Sequence, residues 1–180
     1  ELLRERQPAL AYMQSEWVGC VHGSDQGEPV EALEILEFDS KTFASKVNTW
    51  LTFISGIVVD FERVKSVLNK DGKPIERFDN TSLVQLGWVL PALTTVGPFI
   101  FIKNKCVLAT SGNTGGYQVL KTFCVNFPSI LREYFLSDLT VPDLILKKHI
   151  DDYLPALIWK VRFANIGNFI QEMSQKQINE

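Results

Sequence analysis

Apolar positions along this chain change their period about two-thirds of the way through. Up to Gly116 they come in short β-branched or aromatic runs separated by turn-forming residues, and from Tyr117 they recur every three or four residues. That order predicts an α+β fold in one domain spanning 1–180. A largely antiparallel sheet occupies the first two-thirds (1–116), and C-terminal helices (117–180) pack on one of its faces.

Taken in turn, Leu2–Trp17 reads as a short helix, with Pro8 at a first turn or marking a break. Trp17–Val21 reads as a strand and Ser24–Pro29 as a loop. Val30–Phe38 mixes alternation with helix-favouring Glu and Leu, and the alternation tips it to strand. Asp39-Ser40 supplies an N-cap for a helix with Phe43, Val47, Trp50 and Leu51 on one face. Ile54–Phe61 is β-branched and apolar, the mark of a buried strand. Asp71-Gly72, between Val64–Leu68 and Ile75–Phe78, predicts a hairpin, because Asp-Gly accepts the positive φ of its turn. Thr81 or Ser82 caps a short helix carrying Leu83, Leu86, Val89 and Leu90, which Pro91 interrupts. Phe99–Thr110 is the strongest β signal, divided at Lys103-Asn104-Lys105 into a second hairpin.

Beyond Tyr117, Val119, Leu120, Phe123 and Phe127 make a helical face that kinks or breaks at Pro128. Pro142 and Pro155 open two further helices. The last carries Ile158, Val161, Ile166, Phe169, Ile170 and Met173 on one stripe.

Composition narrows the function classes. Of 180 residues, 46% are hydrophobic and 22% charged, the proportions of a globular chain. There is no 18-residue apolar run, so no membrane span is expected. The net charge of −3 is unevenly spread: residues 1–39 hold two bases against nine acids, or −7. Bases elsewhere are too scattered for a nucleic-acid footprint, and the acidic N-terminal segment is a candidate docking face for a basic protein partner. Cys20, Cys106 and Cys124 lie far apart in apolar contexts, with no CxxC pair. They read as reduced core thiols of an intracellular, cytoplasmic protein. Cys20 and His22 are two ligands, short of a zinc site. Trp17, Trp50, Trp88 and Trp159 exceed what a core requires and are of the type that interfaces favour.

Candidate chemistry concentrates at Thr110–Gly116, Thr-Ser-Gly-Asn-Thr-Gly-Gly, between an apolar strand and a helix. Glycines at 112, 115 and 116 can turn the backbone so that amides converge, and Ser111 and Thr114 add hydroxyl donors. Ser111, Gly112, Asn113, Thr114, Gly115 and Gly116 are therefore a candidate nest for an anionic small ligand. The stretch 110–115 resembles the Thr-Ser-Gly-Asn-Thr-Gly loop of the cysteine-synthase-like, pyridoxal-phosphate-dependent enzymes. By that resemblance Ser111, Asn113 and Thr114 are carboxylate ligands. The likeness covers six residues. The chain is much shorter than such enzymes, lacks their serine-x-lysine-aspartate context and second glycine-rich loop, and follows the motif with bulky Tyr117–Lys121. No cofactor is expected.

Elsewhere, His149 and Asp152 stand three apart and can face each other on a helix. Asp60 and Glu62 share one face at the end of the strand read at 54–61. A pocket is needed to make either pair a proton-transfer site, and no Gly-x-Ser-x-Gly elbow or Cys–His pair accompanies them. No catalytic residue or metal ligand is therefore assigned. The sequence favours a non-catalytic binding domain (regulatory, adaptor or accessory) recognising a protein partner or small ligand. The alternative is an enzyme or ligand sensor that holds a phosphate or carboxylate at 110–116.

Overall fold

A computed structural model describes residues 2–18, 32–72, 74–110 and 118–163. The fold is α+β. Strands β1 (Leu10–Val18), β2 (Ile35–Phe38), β3 (Ile57–Val59) and β4 (Phe99–Thr110) form one sheet in the order β2-β4-β1-β3. The helices are α1 (Leu2–Arg6), α2 (Ser40–Val47), α3 (Phe61–Asp71), α4 (Leu86–Leu93), α5 (Phe127–Tyr134), α6 (Thr140–Lys148) and α7 (Leu154–Phe163).

The sheet is mixed, which corrects the largely antiparallel arrangement read from the sequence. Its two long central strands, β1 and β4, run parallel, and the short edge strands β3 and β2 pair with them antiparallel. A parallel neighbour needs a long crossover, and the chain supplies one through α2, α3 and α4. Short edges also limit the backbone open to unwanted pairing.

Alternation along the strands divides two cores. Leu10, Tyr12, Phe99 and Phe101 meet Phe43 and Val47 of α2, Leu86 and Leu90 of α4, Phe127 and Leu131 of α5, and Ile145 of α6. Phe43 and Phe99 lie with ring centroids 5.5 Å apart. On the opposite face Ala11, Ile100 and Ile102 form a small cluster with Leu3, Met13 and Ile35.

Several local readings are corrected. Leu2–Trp17 is not one helix. It turns at Gln7, with φ 45°, and becomes β1; pairing on both edges outweighs its helical propensity. Phe99–Thr110 is one strand and not a hairpin. Lys103-Asn104-Lys105 bulges, since the pairing passes from Met13–Ile102 to Ser15–Val107. Glu34 anchors the bulge: its N–H donates to the Asn104 side chain at 2.6 Å, and its carbonyl accepts from Lys103 N–H at 3.0 Å.

The predicted hairpin around Asp71-Gly72 is the end of α3. Gly72 takes φ 61° as a left-handed C-cap, the other common use of that dipeptide's tolerance for positive φ. Pro91 lies inside α4 without ending it. At the start of that helix Gly87 presses against the three-ten turn at 75–81, and a Cβ there would fall 2.0 Å from the Ile75 carbonyl oxygen. Asp39, by contrast, caps α2 as read, accepting from Lys41 and Thr42 N–H at 2.9 and 3.0 Å.

Candidate functional site

The nest Ser111, Gly112, Asn113, Thr114, Gly115 and Gly116 lies outside the described residues, as do Cys20 and His22. Thr110, at the end of β4, pairs with Val18 at the end of β1. Residues 111–116 therefore follow directly on the carboxyl end of β4, beside the carboxyl end of its parallel neighbour β1.

Of the acid pairs, Asp60 is the N-cap of α3 and not part of a strand. It accepts from Glu62 and Arg63 N–H at 3.1 and 3.2 Å and pairs with the Arg63 guanidinium at 3.0 Å. Glu62 is turned to Lys65 at 2.7 Å. His149 and Asp152 do not face each other: Asp152 is exposed and pairs with Lys148 at 3.5 Å, while His149 is fully buried.

His149 is the polar centre of the helical half, for a reason the sequence contains. Pro128 has no N–H and crowds the carbonyl four residues before it. The chain relieves this by widening into a π turn over Lys121–Asn126, in which Phe127 N–H bonds to the Thr122 carbonyl. In that register the Phe123 carbonyl would accept from residue 128, which has no hydrogen to give. His149 Nε2–H supplies it instead, at 2.8 Å. With Nε2 protonated, Nδ1 is an acceptor, and the Thr49 hydroxyl donates to it at 2.8 Å. Both ring nitrogens are satisfied. Phe127 packs edge-on and Tyr153 stacks on the ring, at 5.0 and 5.4 Å between centroids. Burial lowers the imidazole below its ordinary value, and the bond to the Phe123 carbonyl pulls it partly back. Both nitrogens of this buried ring are thus engaged within the chain.

Pro155 repeats the device. A second π turn, His149–Tyr153, precedes α7, with Leu154 N–H bonded to the His149 carbonyl. One extra residue rotates everything after it by roughly 100°. Continued in step from Ile145 and His149, an α-helix would bury Ala156, Lys160 and Phe163. In α7 the inward positions are Leu154, Leu157 and Val161, packed on Val119 and Phe123. The outward ones are Ile158 (47% exposed), Trp159 (60%) and Phe163 (65%), with Ile150 (58%) just before the helix. Trp159 and Phe163 touch each other, at 6.1 Å between ring centroids. The stripe read from the sequence is thus split: Val161 is core and Ile158 is surface, and Ile166 to Met173 lie outside the described residues.

Other candidates offer less. A cavity of about 460 Å³ between α3 and α5 is lined by Lys70, Asp71, Thr94 and Tyr134, among others. Burial first, then Asp71, pushes Tyr134 up to about 12 despite its bond to Thr94 and the nearby Arg77, so it keeps its proton at neutral pH. Cys106 and Cys124 are exposed, which corrects their reading as core thiols. Among the described residues no group of three His, Cys, Asp or Glu side chains is placed to hold a metal ion, and no helix is long and apolar enough to cross a membrane. The acidic front is partly consumed within the chain: Glu16 pairs with Lys105, Glu34 with Lys103 and Glu37 with Arg6, while Asp39 caps α2.

No family model, curated protein or solved structure matches this chain.

Proposed function

We propose that this chain is a non-catalytic binding domain that recognises a protein partner through the outward face of α7. The rotation imposed by the π turn at 149–153 supports this reading, because it spends the smaller Leu154, Leu157 and Val161 on the core and leaves Ile158, Trp159 and Phe163 in solvent. A contiguous apolar and aromatic patch of this kind marks an interaction surface, and Trp, Phe and Arg are residue types that interfaces concentrate. Arg162, over the Phe163 ring at 5.5 Å, adds a cation at its margin. The ionisable groups that burial perturbs do not oppose the reading: His149 is sealed, Tyr12 and Tyr134 are raised to about 12 by burial above all, and burial also pushes the Cys124 thiol up. Two exposed free thiols, Cys106 and Cys124, are compatible with a reducing, cytoplasmic setting, which we propose with it. The role is adaptor or regulatory. A photo-reactive residue at position 158 is expected to capture a second polypeptide.

A second reading places an anionic small ligand at 110–116, as a sensor or an enzyme would use it. It is favoured by the place of Thr110, the residue before this stretch, at the carboxyl ends of adjacent parallel strands, where α/β sheets collect ligands. A thermal-shift screen with inorganic phosphate, nucleotides and carboxylates is expected to raise Tm, and Asn113→Ala to abolish the rise. No shift with any of them removes this reading.

A further inference from the structure

We infer that His149 is an acid-sensitive latch that holds α7 on the body of the fold, and that charging its ring frees residues 149–163 while the sheet stays formed. The latch acts whatever α7 binds. Its geometry is that of a joint. His149 ties its own π turn to the Phe123 carbonyl in the turn at 121–126 and to the Thr49 hydroxyl in the three-ten turn Asn48–Thr52, each at 2.8 Å. Phe123, Phe127 and Tyr153 surround the ring, which is fully buried. A further proton finds no ready place. On Nδ1 it meets the hydrogen that Thr49 donates, so the hydroxyl must turn over to accept, and its own hydrogen gives up its acceptor. The charge then stands among aromatic rings, where a buried cation is costly unless it is paired. Among the described residues no carboxylate is in ion-pair contact with the ring, and burial and the Phe123 carbonyl are what shift it. Tyr153 is the titratable side chain stacked on it. The charged and titratable groups of the surrounding elements are exposed: Lys46 of α2, Lys121 and Cys124 of the turn at 121–126, Arg132 and Glu133 of α5, and Lys147, Lys148, Asp151 and Asp152 beside His149 itself.

Release is confined to this end of the chain because α7 is held lightly. Leu154, Leu157 and Val161 pack on Val119 and Phe123 in a small cluster of their own, whereas the sheet, α2, α4, α5 and α6 share the main core. Such an element opens at a lower free energy than the whole domain, and once it is open the histidine titrates in water. Between pH 7.5 and 5.5 the open form gains by up to about tenfold, the limit for an ordinary imidazole in the open form and one that stays uncharged in the closed form. Hydrogen exchange of the intact chain, read by mass spectrometry and corrected for the intrinsic exchange rate at each pH, measures this. Protection over 154–163 is expected to be lower than over 10–13 and 99–102 at both pH values, and to fall several-fold at pH 5.5, towards that limit. His149→Gln is the matched control. Its amide can donate to the Phe123 carbonyl and accept from the Thr49 hydroxyl, so it keeps both bonds without titrating. Its protection over 154–163 should be the same at the two pH values. Three results each overturn the latch: protection over 154–163 as high as over the strands, a wild-type change with pH below about twofold, or an equal change in His149→Gln. Should the glutamine variant not fold, the two wild-type results decide alone.

Discussion

Gly87→Ala is expected to destabilise this fold by about 3 kcal/mol, at the upper end of what overpacking costs. In the middle of a helix the change should help, because alanine is better there than glycine by about 1 kcal/mol. Contact decides against it. The added Cβ would lie 2.0 Å from the Ile75 carbonyl oxygen and 3.1 Å from its carbon, backbone atoms that cannot swing aside as a side chain can. To reach ordinary van der Waals distance, α4 and the turn at 75–81 must separate by more than about 1 Å, which opens the packing of Leu86, Val89 and Leu90 beneath. For a chain of this size the loss corresponds to a Tm lower by roughly 6–12 °C. A calorimetric Tm within about 2 °C of wild type would show that the two elements are not pressed together.

His149→Phe carries the second large effect. The substitution leaves the Phe123 carbonyl and the Thr49 hydroxyl buried without a partner, at about 1–3 kcal/mol each. A loss of about 3 kcal/mol at pH 7.5 is expected. The wild-type chain has its own acid sensitivity through this ring. Because burial lowers the imidazole in the native state, the unfolded chain binds a proton first as pH falls below about 6.5. Stability is therefore full above that value, declines as pH falls through the window beneath it, and levels off under the native value. Asp39 and Asp138, held low chiefly by hydrogen bonds from Thr42 and Thr140, act only below the ordinary carboxylate range and do not overlap that window. Urea midpoints from pH 7.5 to 5 should fall for the wild type and stay flat for His149→Phe. Parallel slopes for the two would place the titrating group elsewhere.

Local signals were legible where one residue type has one use. Asp39 followed by polar residues and a three-four apolar repeat has no common meaning but a capped helix, and α2 begins there. Pro142 and Pro155 sit in first turns for the same reason. Signals with two uses misled. Asp71-Gly72 fits a hairpin turn and a helix C-cap equally, because both need positive φ. Asp60 fits a strand end and an N-cap. β1 is not legible because pairing on both sides, a non-local property, decides its state, and its parallel partner β4 lies about half the chain length away in sequence.

The candidate site was half visible. The periodicity placed an apolar stripe on the last helix, but its phase depended on one added residue in a π turn, which spacing alone does not register. The clue available was a proline at the second position of α5 and of α7, each preceded by a turn that must release a carbonyl. His149 could have been connected to Phe123 only through Pro128, by asking which acceptor that proline leaves unpaired.

The claim that α7 presents its apolar face to another molecule is tested most directly by photo-crosslinking in the intact chain, with the reactive residue at Ile158 and, as control, at the isolated and exposed Val96. A covalent adduct with a second polypeptide from position 158 and none from 96 is the predicted result. Equal yields at the two positions, or reaction at 158 confined to the chain's own residues, would contradict it.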